Sequence, residues 1–153
     1  MIYLQSNKFY SKILELDPQS GKHDTVGRDA LTAHGRLGRI NGVFDLLNDT
    51  LVALYTLNGK LILRVGDRAI PLNERVTVSV SGAPSHRLLT VTQGGTDPVH
   101  IKYDIRDSLR GEDNPTPFID DEDSDFGIFI VNIFTDPARR FLALEHWKQA
   151  QPA

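Results

Sequence analysis

From residue 51 to residue 105, apolar and polar positions alternate in short runs, each closed by a turn signal. Residues 51–57 (LVALYTL) and 60–65 (KLILRV) flank Asn58-Gly59. That dipeptide predicts a hairpin, because a type I′ turn needs positive φ at both central positions. Val76-Thr77-Val78-Ser79-Val80 repeats with period two, as a half-buried strand does. Residues 87–92 (RLLTVT) follow Gly82 and Pro84, and residues 99–105 (VHIKYDI) follow Gly94-Gly95. Several short strands joined by tight turns predict an antiparallel β-meander, curled into a sandwich or an open barrel.

Towards both ends the pattern weakens. Residues 2–16 suit one or two short strands separated at Ser6-Asn7-Lys8, whereas residues 17–35 are polar, are broken by Pro18, Gly21 and Gly27, and predict a loop. Gly38, Asn41 and Gly42 argue against a helix over residues 36–47 without specifying a strand. Near the C-terminus, Asp136-Pro137 predicts a helix start, with Asp136 capping and Pro137 where its missing N–H is harmless. Phe141, Leu144 and Trp147 recur behind it at helical spacing.

Residues 126–134 (FGIFIVNIF) are apolar almost throughout, so periodicity does not decide between strand and helix. Their β-branched residues favour a strand. Phe126, Ile130 and Ile133 also make a helical stripe that Ser124 or Asp125 would cap, and a helix is preferred on that ground. The fold class is therefore α+β, with one or two C-terminal helices packed on the sheet. One domain over residues 1–153 divides into a mainly β part to 105, an acidic loop at 106–125 and a helical segment at 126–150.

Charge sharpens this picture at one place. Residues 112–125 (EDNPTPFIDDEDSD) hold seven acids and no base, which leaves 13 acids against 17 Lys and Arg elsewhere. Five of the six residues from Asp120 to Asp125 are acidic, and they run straight into the apolar segment. No basic face is clustered enough for nucleic acid, since Asp24 and Asp29 interrupt Lys22, Arg28, Arg36 and Arg39. The longest apolar run, about six residues, falls far short of a bilayer span, and no signal-peptide core opens the chain. A cytoplasmic protein without membrane contact is expected. Cysteine is absent, which removes disulfides and thiolate metal sites.

Three explanations compete for the acid run. Asp121, Asp123 and Asp125 begin like an EF-hand, but Phe126 replaces the required Gly and Asn132 the bidentate Glu. No metal or other cofactor is assigned. A helix start would use one or two carboxylates, each stabilised by about 0.3–1 kcal/mol. The density of the run fits a partner surface better, because clustered carboxylates speed and orient association with a basic protein. Phe118 and Ile119 would anchor that partner inside the charged rim formed by Asp120, Asp121, Glu122, Asp123 and Asp125.

Catalytic motifs are missing. There is no G-x-S-x-G, H-E-x-x-H or P-loop, and the five histidines share no metal-ligand spacing. Asp125-Phe126-Gly127 spells the kinase magnesium tripeptide without the catalytic loop that should precede it. His100 is expected to face solvent between Val99 and Ile101.

Residues 121–144 (DEDSDFGIFIVNIFTDPARRFLAL) combine an acidic lead-in, Asp125-Phe126-Gly127, an apolar run broken by Asn132, and Asp136-Pro137-x-Arg139-Arg140. In these features the segment resembles the C-terminal part of cytosolic immunity-type proteins associated with secreted toxins of Gram-negative bacteria. The resemblance implies a non-enzymatic protein that neutralises a cognate toxin by direct binding. The alternatives are a small-ligand-binding β module and a divalent-metal-dependent enzyme.

Overall fold

A computed structural model of the chain describes residues 1–6, 13–26, 40–105 and 125–135. Phe118, Ile119 and Asp120 to Asp123 lie outside the described residues, as does the helix expected from Asp136. The first sheet contains β1 (Ile2–Ser6), β2 (Ile13–Leu16), β3 (His23–Val26), β4 (Gly42–Leu47), β5 (Thr50–Leu57), β6 (Lys60–Val65) and β7 (Arg68–Pro71). β8 (Thr77–Ser81), β9 (Arg87–Thr92) and β10 (Val99–Tyr103) form the second, and α1 (Phe126–Thr135) follows. A single 3-10 turn at Pro84–His86 leads into β9.

The fold is α+β, built from two open sheets and a C-terminal helix rather than a closed barrel. The seven strands lie in the order β3-β2-β1-β4-β5-β6-β7, and the three in the order β10-β9-β8. Among the described residues, every pairing is antiparallel except β1 with β4, which runs parallel. Asn58 and Gly59 take positive φ (53° and 78°) between β5 and β6, as the hairpin signal requires. Asn48 and Asp49 do the same between β4 and β5.

Pairing register sorts the side chains. Leu4, Gly42, Tyr55 and Ile62 share one row and one face of the large sheet. A Cβ on Gly42 would lie 2.0 Å from the Leu54 carbonyl oxygen, so this glycine is needed where β4 meets β5. That face carries a core of Ile2, Leu4, Leu14, Leu16, Phe44, Tyr55 and Ile62. On the other face, Val52, Leu54, Leu61 and Leu63 join Val78, Leu89, Val91, Val99 and Ile101 of the small sheet and Phe126, Ile130 and Ile133 of α1. β5 is thus buried on both faces, which is why LVALYTL is nearly continuous in apolar residues. Burial of each large α1 residue contributes about 1.5–3 kcal/mol.

Three strands depart from the sequence reading. β3 lies in the stretch expected to be loop; its residues are mostly exposed, so no core-facing alternation marks them. β4 resolves the ambiguous segment, and β7 buries only Ile70. The Asp17–Lys22 turn joining β2 to β3 is held from the large sheet by Arg64, a buried side chain. Its guanidinium donates to Tyr55 Oη (3.2 Å), the Gly66 carbonyl (3.2 Å) and the Pro18 carbonyl (2.8 Å).

Candidate functional site

The acid run enters the described structure at Asp125, and there the side chain turns inward. Asp125 is 2% exposed, so it cannot present its charge to a partner, and it drops out of the expected steering set. Its carbonyl accepts the Phe129 N–H (3.0 Å), the first bond of α1, and its Oδ1 accepts the Gly127 N–H (2.9 Å). Asp125 is therefore the N-cap of the helix, one of the two caps proposed from sequence.

Its carboxylate also receives two side chains from the small sheet. Arg87 Nε donates to Oδ2 at 2.9 Å, and the Tyr103 hydroxyl donates to Oδ1. Arg87 and Tyr103 stand directly opposite each other on β9 and β10, in phase with the buried residues Leu89 and Ile101. Arg87 Nη1 reaches the Gly82 carbonyl at 2.6 Å, and the Gly127 N–H also approaches Tyr103 Oη at 3.1 Å. Burial, then the hydrogen bond to Asp125 and the charge of that carboxylate, push the Tyr103 hydroxyl above the usual phenol range. Tyr103 is a proton donor here and not a base.

The tripeptide Asp125-Phe126-Gly127 now has a structural account unrelated to magnesium. Asp125 caps and pairs, Phe126 fills the core at 0% exposure, and Gly127 admits Tyr103. A Cβ on Gly127 would lie 2.1 Å from the Tyr103 hydroxyl oxygen.

Beside this triad opens a cavity of about 540 Å³, lined by Arg87 and Tyr103 together with Asn48, Ser85, His86 and Lys102, and by Leu88 and Asp104. Nothing in the alternation pattern foretold it, because its wall is assembled from the β4–β5 turn, the 3-10 turn and the end of β10. Arg87 was legible in principle: an arginine in phase with Leu89 and Val91 requires a buried counter-charge. The identity of that counter-charge, 38 residues away, was not.

His100 is exposed between buried Val99 and Ile101, as expected, and Thr90 Oγ1 lies 3.2 Å from its Nδ1. Among the described residues, no group of three or more His, Asp or Glu is placed to hold a metal ion. No described helix is long and apolar enough to cross a membrane. No family model, curated protein or solved structure matches the chain. Its function has to be inferred from its own geometry.

Proposed function

We propose that the chain is a non-enzymatic, cytoplasmic protein-binding inhibitor of the toxin-immunity type, which neutralises a basic protein by direct contact. The observation that carries this is the anchoring of the acid run at its root. Asp125 ties the segment to β9, β10 and α1 at once. Chain reach keeps Asp120, five residues upstream, within roughly 18 Å of that anchor, at up to about 3.6 Å per residue. Four carboxylates so tethered to a rigid sheet form a local negative field, which accelerates encounter with a basic surface and fixes its orientation. Phe118 and Ile119, just upstream, supply the apolar contact that such a rim would enclose.

The test compares the wild type with D120N/D121N/E122Q/D123N. Each is immobilised, a partner is captured, and association rates are followed across ionic strength. The expected partner is a single basic protein whose toxicity the wild type suppresses. Its association with the neutralised variant should be about tenfold slower or more at low salt, with the difference shrinking as salt rises. Equal rates for the two proteins would refute the steering role, and a captured partner without toxicity would refute the inhibitor function.

A further inference from the structure

The cavity beside the triad contains chemistry that partner binding through the acid run leaves unused. Its volume, about 540 Å³, falls within the roughly 300–1,000 Å³ of small-molecule sites. Arg87 and Tyr103 are committed to Asp125 and add no open charge. Asn48 gives its Nδ2–H to the Lys102 carbonyl at 2.9 Å, which keeps Oδ1 as an acceptor. Ser85 Oγ lies 2.8 Å from His86 Nδ1, so the other ring nitrogen of this exposed histidine is left for a ligand. The exposed Lys102 ammonium forms no ion pair with any described residue. One carboxylate, Asp104, shares the wall, and Leu88 adds apolar surface.

We propose that this cavity binds a small organic acid. Its anionic head, a carboxylate or a phosphate, meets Lys102 and His86. A hydroxyl or amino donor meets Asn48, and an apolar body lies against Leu88. A cation of the same size would face the Lys102 ammonium at close range, and like-charge juxtaposition disfavours it. A neutral isostere would leave Lys102 without a counter-charge.

The experiment titrates the ¹⁵N-labelled full chain with benzoate, phenyl phosphate, benzamide and benzamidine, following backbone amide shifts. Saturable shifts at Asn48, Ser85, His86 and Lys102 are expected from benzoate or phenyl phosphate, with benzamide weaker by about tenfold or more. The tighter of the two anions identifies the head group. Lys102→Met, at an exposed position, should weaken the anion about tenfold, while Lys102→Arg retains it. D120N/D121N/E122Q/D123N should leave the titration unchanged, so failure of this site and failure of the inhibitor function are separable. The proposal is overturned by saturation with neither anion up to about 10 mM, by equal binding of benzamide, by preference for benzamidine, or by an indifferent Lys102→Met.

Discussion

Breaking the Arg87–Asp125 pair tests whether α1 is held to the small sheet as described. The substitution Asp125→Asn keeps the side-chain volume and the ability to cap, because Asn and Asp are comparable N-caps. What it removes is the counter-charge of a guanidinium whose side chain is only 10% exposed, 2.9 Å from a carboxylate at 0%. Removing one partner of a buried ion pair costs about 3–5 kcal/mol. Against a total stability of roughly 5–15 kcal/mol, that is a large fraction. For a chain of this size each kcal/mol lowers Tm by about 2–4 °C, so a fall of roughly 6–20 °C is expected.

Arg87→Met leaves the Asp125 carboxylate with the Tyr103 and Gly127 donors, and its cost should fall at the lower end, about 3 kcal/mol. The double variant buries no unpaired charge, so it should recover about 1–3 kcal/mol relative to the sum of the singles. Urea denaturation with thermal melts at about 0.05 M and about 0.5 M NaCl measures all four proteins. Because the pair is buried, the difference should survive the higher salt. Single variants losing less than about 1 kcal/mol, strict additivity in the double, or an effect abolished by salt would refute the reasoning.

Three further expectations follow from other contacts. Gly127→Ala should destabilise by about 1–3 kcal/mol in a urea melt despite the roughly 1 kcal/mol higher helix propensity of Ala, because the methyl group displaces Tyr103 from Asp125; a gain in stability would show that the site relaxes freely. Arg64→Lys should cost about 2–4 kcal/mol, since one ammonium cannot replace a fork reaching three segments, and Arg64→Met should cost less because it also removes the buried charge; the reverse order in melts would contradict this. Hydrogen bonds from the Gln19 backbone, the Ser20 side chain and the Ser20 backbone hold the Asp17 carboxyl below its ordinary value of 3.8. A depressed folded pKa contributes stability above the unfolded value that is lost as pH falls through the folded one. NMR titration should therefore place the Asp17 midpoint below 3.8, and Asp17→Asn should flatten the stability profile in that acid window.

What the sequence revealed depended on how far each signal reaches along the chain. Asn58-Gly59 and the alternation in β8, β9 and β10 are local, and their strands emerged within a residue or two of their observed bounds. β3 and β7 were invisible because edge strands with one or no buried side chain carry no period. The helix over residues 126–134 was legible from its stripe and its Asp125 cap. The second bond of that aspartate was not, because it depends on Arg87 and Tyr103 meeting across β9 and β10. Counting Asp125 among surface acids followed from treating the run as one unit, whereas the unit ends where the cap begins. The cavity belongs to the same class of hidden feature, since turns and strand ends distant in sequence build its wall.

The parallel pairing of β1 with β4, alone of its kind among the described residues, divides the large sheet into two blocks, β1–β3 and β4–β7. Within each block neighbouring strands pair in sequence order, but the seam joins Tyr3 to Asn41 through a backbone bond of 2.8 Å and a side-chain bond of 3.1 Å. The seam pairs residues 38 apart in sequence, so its closure carries a larger entropic cost than the pairing of neighbouring strands. The same pairing covers the β4 edge that faces the N-terminal trio. The seam is thus the one pairing of the described large sheet whose loss would bare two strand edges belonging to different blocks, β1 and β4.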